Sequence, residues 1–89
     1  ELLYGFELKN RTYGILGLGR IGSRVAEIAQ AFQMRVVAFD PYLDDNAFKD
    51  RKVERLGLEE VFHQADIISC HVPKTKETFG FIHRHVLQD

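Results

Sequence analysis

The sequence has little of what builds cross-links, membrane anchors or strong charge fields. One cysteine, Cys70, occurs in 89 residues, so no internal disulfide can form, and its place in the apolar run IISCHV reads as a buried, inert thiol. No apolar stretch nears the roughly 20 residues of a membrane helix, and no basic segment followed by an apolar one opens the chain. A net charge of −1 gives no general attraction for nucleic acid or an anionic membrane surface. These absences predict a soluble, cytoplasmic chain. Methionine occurs once, at Met34, and the chain opens on Glu1, which predicts a fragment of something longer. What is present is ordinary: 45% hydrophobic and 28% charged residues, as in a single globular domain with a small core. Internal repeats and low-complexity segments are lacking.

Along the chain, Thr12–Leu16 (TYGIL) is a short β-leaning run that ends at glycines, the pattern of a buried strand. After the glycines, Ile21, Val25, Ile28, Ala29 and Phe32 recur at helical spacing, which predicts an amphipathic helix with these residues inward. Arg35–Phe39 (RVVAF) reads as a second buried strand, closed by the Asp40-Pro41 turn signal. Strand, glycine turn, helix and strand within about 30 residues make a βαβ unit with parallel strands. The segment YLDDNAFKDRK that follows is charged with both signs and reads as a solvated loop, without the acidic spacing of a calcium site. A short third strand is predicted over 52–55, a helix at Leu58–Gln64, a fourth strand over 67–72 and a helical turn over 75–79.

The stretch GILGLGRIGSRV carries the chemistry. Three readings compete: a packing turn, a nucleotide-hydrolase phosphate loop, and a dinucleotide turn. The hydrolase loop requires a lysine and then a hydroxyl residue, but Arg20 and Ile21 stand there. A kinase-type loop is followed by a strand with a lysine, whereas here a helix follows and RVVAFD has none. The dinucleotide turn requires a strand before it, a helix after it and an acidic residue about 20 positions on, and all three are met. Gly17 then allows the tight turn, Gly19 lets a pyrophosphate approach the backbone, and Gly22 lets the helix pack on the strand. The phosphates would sit on free amides at the helix start. Arg20 in that first turn opposes the helix dipole unless an anion neutralises it. Asp40, with Pro41 beside it, would accept hydrogen bonds from the adenosine ribose and repel a 2′-phosphate, which favours NAD over NADP; the alternative is a plain Asp-Pro strand cap. Lys49, Arg51 and Lys52 read as a solvated face. His63, His71, His83 and His85 lack zinc-site spacing. His71, at the carboxyl end of the fourth strand, falls where ligands bind in open parallel sheets.

With these residues in view, ILGLGRIGSRVAEIAQAF, VVAFDPY and ADIISCHVPKTKETFGFI together resemble the cofactor domain of the D-isomer-specific 2-hydroxyacid dehydrogenases over nearly the whole chain. The resemblance implies that Arg20 and Ile21 flank the pyrophosphate, that Asp40 holds the adenosine ribose, and that Val72 and Pro73, after His71, line the cleft beside the adenine half. Thr78 matches a hydroxyl position of the second signature. It also implies that the catalytic arginine, acid and histidine, and the substrate domain, lie outside this sequence, so no residue here is assigned a catalytic role. Gln33 and Asn10 stand where the family commonly has glycine, positions expected to need positive φ, and His83 replaces a small or amide residue.

The expectation is therefore an α/β fold, a partial Rossmann-type doubly wound parallel sheet of about four strands in the order 3-2-1-4, forming an NAD-binding fragment over 1–89. Its parent would interconvert D-2-hydroxy acids and 2-keto acids by hydride transfer to or from NAD. The partners expected are NAD(H) and, in the parent, a small hydroxy or keto acid. Nucleic acid and membranes are not expected, whereas self-association or a homodimer is. Two alternatives stay open: an NADH-sensing corepressor of the C-terminal-binding-protein type, to which DPYL and ERLGL fit tolerably, and an excised or designed module without function.

Overall fold

The computed structural model describes residues 8–71. The elements run β1 (Thr12–Leu16), α1 (Arg20–Ala31), β2 (Arg35–Phe39), α2 (Asp45–Asp50), β3 (Glu54–Arg55), α3 (Leu58–Gln64) and β4 (Ile67–Cys70). All pairings are parallel, and the sheet order is β3-β2-β1-β4. Parallel neighbours need crossover connections, and the helices between successive strands supply them. Helices consequently pack on both faces of the sheet. Ile15, Val36 and Ala38 pack with Leu18, Ala26, Ala29 and Phe48 on one side, and Leu16 and Val37 pack with Leu58 and Val61 of α3 on the other.

The expected strands at β1 and β2 and the helix at α3 appear with the predicted bounds, while the third strand shortens to Glu54–Arg55 and the fourth to Ile67–Cys70. Three expectations need correction. The segment read as a solvated loop contains α2. Asp44 caps it, its Oδ1 accepting from the Ala47 amide at 3.0 Å, and Phe48 anchors it in the core at 2% exposure. One buried aromatic and one cap suffice for six residues, too short for periodicity to register.

The inward face of α1 is only partly the one predicted: Ala29 is buried and Val25 packs half-buried against the core, but the other expected residues are not inward. Gly22, Ala26 and Ala29 are buried, while Ile21, Ile28 and Phe32 are 64%, 60% and 44% exposed. At Gly22 the helix lies so close to β1 that no side chain fits beneath it, and Ile21, Ile28 and Phe32 are displaced to its flank. Cys70, expected to be buried, is exposed: among the described residues β4 pairs only with β1, and Ile68 and Cys70, on one face of it, are both exposed.

Both positions expected to need positive φ have it, Asn10 at 68° and Gln33 at 64°. The Gln33 amide donates to the Gln30 carbonyl and the Met34 amide to the Ala29 carbonyl, the Schellman ending of a helix, with glutamine in the left-handed position that glycine normally takes. Lys52, φ 58°, occupies the same position after α2, with its amide on the Lys49 carbonyl and that of Val53 on Phe48. Gln33→Gly is expected to stabilise the fold by about 0.5–1 kcal/mol, the relief of left-handed strain exceeding the added entropy of the unfolded chain. A denaturant midpoint that falls on this substitution would contradict the strain.

An ion pair ties β2 to β3: Arg35 Nε donates to Glu54 Oε2 at 2.6 Å and Nη2 to Oε1 at 2.8 Å. This holds the Glu54 carboxyl below the usual carboxylate range and the Arg35 guanidinium above its own. A carboxylate with a lowered folded pKa contributes stability above its unfolded pKa and loses it as pH falls through the folded value. Both side chains are exposed, so the contribution is small and screened by salt. Glu54→Gln should lower the melting temperature slightly at neutral pH and not at all well below pH 4; an equal change at both would exclude the pair as its cause.

Candidate functional site

The register of the sheet brings the ends of three strands level. Leu16 pairs with Phe39 on one side and with Cys70 on the other, so Gly17, Asp40 and His71, each one residue further on, meet at the carboxyl edge. Because β1 leads toward β2 on one side and has β4 on the other, this edge is the topological switch point of the sheet, where ligands bind in open α/β folds.

Each glycine has a distinct physical reason. Gly17 takes φ 93°, a left-handed conformation that side chains disfavour, and its amide donates to the Phe39 carbonyl at 2.9 Å. At Gly22 a Cβ would strike the carbonyl oxygen of Gly17, so the helix can approach the turn only without one. Gly19 differs from both: among the described residues a Cβ there would meet nothing within 4 Å, and its extended backbone, φ −84° and ψ −151°, is open to other residues. Nothing among the described residues requires this glycine.

Gly19 is also the N-cap of α1, which has no side-chain cap and no acidic residue in its first turn. The first amides of a helix have no partner within it, and together with the helix dipole they favour an anion. Arg20 and Ile21 are exposed beside them. The open space at Gly19, the uncapped helix start and a carboxylate one strand away fit a dinucleotide, with its pyrophosphate on the amides and a ribose at Asp40.

Asp40 is 8% exposed. Its Oδ2 accepts from the Leu18 amide at 2.8 Å and its Oδ1 from the Tyr42 amide at 2.9 Å. Pro41 and Tyr42 follow it, both exposed. His71, half-buried, donates its backbone amide to the Leu16 carbonyl at 2.7 Å, and its Nε2 lies 2.9 Å from the Ser69 hydroxyl. The expected residues Gly17, Gly19, Arg20, Ile21, Gly22, Asp40, Pro41 and His71 thus lie on the turn or at the strand ends beside it. Val72, Pro73, Thr78, His83 and the predicted helical turn lie outside the described residues.

Sequence reasoning missed Leu18. It sits between two glycines with its side chain fully buried in the core and its amide on Asp40, so it anchors the turn; its apolar character between glycines was the available signal. Ser23 was missed as well, its hydroxyl accepting from Arg51 Nε at 2.6 Å. Among the described residues no helix is long and apolar enough to cross a membrane.

Comparison with known proteins agrees with this geometry. A family model described as the D-isomer specific 2-hydroxyacid dehydrogenase, NAD binding domain, matches residues 1–89. D-3-phosphoglycerate dehydrogenase of Bacillus subtilis is 47% identical over 83 residues, covering 93% of this chain and 16% of the relative. Glyoxylate reductase of Aeropyrum pernix is 44% identical over 77 residues, 86% of this chain and 23% of the relative. Among solved structures, D-lactate dehydrogenase from Aquifex aeolicus, complexed with NAD and lactic acid, matches with a TM-score of 0.68 and 43% identity over 76% of this chain and 20% of that one. The apo D-lactate dehydrogenase from Escherichia coli matches with a TM-score of 0.75 and 36% identity, over 84% and 23%. The chain spans less than a quarter of the length of each of these four proteins.

Proposed function

Since the chain belongs to the NAD-binding domain family of the D-isomer specific 2-hydroxyacid dehydrogenases, we propose that it is the cofactor-holding part of an oxidoreductase that interconverts D-2-hydroxy acids and 2-keto acids. The observation that carries this reading is Gly19, a glycine with nothing among the described residues near its missing side chain, at the uncapped start of a helix. Gly17 and Gly22 shape the turn, the amides after Gly19 hold the pyrophosphate with Arg20 and Ile21 at its flank, and Asp40 with Pro41 receives the adenosine ribose. His71 borders the cleft at the end of β4, and Val72, Pro73 and Thr78 are further cofactor contacts that the family resemblance implies. Held by the amides after Gly19 and by Asp40, NAD would supply a hydride acceptor for the carbon bearing the hydroxyl, and NADH a hydride donor for the keto carbon.

Proton transfer and the grip on the substrate carboxylate belong to groups outside these residues, so the piece alone is expected to bind the ADP half weakly and to catalyse nothing. A cytoplasmic setting and assembly as a homodimer go with this reading. The test is oxidation of NADH, against NADPH, by the full-length parent supplied with glyoxylate or pyruvate, and reduction of NAD with D-3-phosphoglycerate. Turnover of at least one acid with NAD(H) preferred is the expected result. NADH binding without turnover of any would point instead to a cofactor-sensing module.

A further inference from the structure

The chain engages both carboxylate oxygens of Asp40. Oδ2 accepts from the Leu18 amide at 2.8 Å in a buried setting, joining residues 22 apart in sequence, and Oδ1 accepts from the Tyr42 amide at 2.9 Å. Leu18 is the middle residue of the Gly17-Leu18-Gly19 turn. Its side chain is fixed in the core, and its carbonyl lies 3.5 Å from the Ser23 hydroxyl. The Gly17 amide is bound to the Phe39 carbonyl at 2.9 Å. Two successive amides of the turn are therefore fastened to the end of β2, and one of the fasteners is the side chain placed for the ribose.

We propose, resting on the NAD reading above, that Asp40 is a positioning residue for the pyrophosphate as well as a partner of the ribose. By holding the Leu18 N–H inward it keeps the turn in the shape that leaves Gly19 open. A carboxylate has about four lone-pair sites, so two backbone amides leave room for ribose hydroxyls. Hydrogen bonds to a charged acceptor are stronger than neutral ones. Removing the acceptor leaves a buried N–H unpaired, and the turn rearranges to satisfy it. Replacing Asp40, the direct way to admit a 2′-phosphate, thus weakens every ligand that carries the pyrophosphate, including one with no ribose hydroxyl for Asp40 to meet.

The test uses the full chain as wild type, Asp40→Ala and Asp40→Asn. Affinities are measured for ADP-ribose and for its analogue lacking the adenosine 2′ and 3′ hydroxyls, and amide hydrogen exchange at Leu18 is followed without ligand. Asp40→Ala is expected to weaken the dideoxy analogue about 10-fold or more and to speed Leu18 exchange by a similar factor. Asp40→Asn, whose side-chain oxygen can still accept from Leu18, restores most of both while leaving ADP-ribose weakened. Unchanged exchange at Val37 and Val61 shows that the sheet and α3 stand in every variant. Equal affinity of all three for the analogue, with Leu18 exchange unmoved, would overturn the proposal. If the wild type binds neither ligand the NAD reading fails, and Leu18 exchange in the ligand-free chain alone decides whether Asp40 holds the turn.

Discussion

Gly22→Ala is expected to destabilise the fold by about 2–4 kcal/mol, although alanine is the better helix former by roughly 1 kcal/mol. The added methyl would fall on the Gly17 carbonyl oxygen and within 3.3 Å of Ile15 Cγ2. A backbone oxygen in a tight turn cannot move aside as a flexible side chain can, so α1 must lift from β1. That separation opens the packing of Ala26 and Ala29 against the sheet, both nearly fully buried, and overpacking of this kind commonly costs about 1–3 kcal/mol before such secondary losses. Urea unfolding of the two proteins measures it. A midpoint equal to or above that of the wild type would mean that the helix stands further from the strand than described.

Gly19→Val has the opposite profile. No atom of the described residues lies within 4 Å of the new Cβ and the backbone there is already extended, so the stability change is confined to the poorer N-cap, about 1 kcal/mol or less. Binding suffers instead. The side chain fills the space through which a pyrophosphate reaches the amides of α1, and losing two such charge-assisted hydrogen bonds, at about 1.5–3 kcal/mol each, raises the NADH dissociation constant roughly 100-fold or more. Calorimetric titration beside urea unfolding separates the two effects. A valine variant that binds NADH as the wild type does would place the pyrophosphate elsewhere. The paired substitutions distinguish a glycine kept for the fold from one kept for the ligand, although both belong to one motif.

What the sequence revealed and what it hid follow from how local each determinant is. β1 and β2 were legible because each is a compact apolar run bounded by glycine, proline or charge, α3 because Leu58, Val61 and Phe62 recur at helical spacing after Gly57, and the βαβ unit followed from the order of β1, α1 and β2. The parallel arrangement β3-β2-β1-β4 was reachable because crossover chirality leaves few alternatives. α2 escaped because a six-residue helix held by Phe48 and an Asp44 cap has no period to detect. The buried face of α1 was legible at Val25 and Ala29 and misjudged at Ile21, Ile28 and Phe32, because apolar periodicity favours large side chains, whereas contact at Gly22 selects small ones. At the site, the glycines and Asp40 were legible as a spaced motif. The engagement of Asp40 by the Leu18 and Tyr42 amides was not, since one of those bonds spans 22 residues and depends on where the turn folds back. The exposure of Cys70 likewise depends on which strands and helices flank β4, which its apolar neighbours in sequence do not report.

The central claim is that the open place at Gly19 receives the pyrophosphate of NAD while Asp40 meets its ribose. The most direct measurement is a titration of the chain with NADH, NADPH and ADP-ribose, followed by the backbone amide resonances of residues 17–22 and of Asp40. The account predicts saturable shifts confined to these residues and their neighbours at the carboxyl edge, with NADH and ADP-ribose binding more tightly than NADPH. Resonances that stay in place in a folded sample, or that move equally for NADPH, would contradict it.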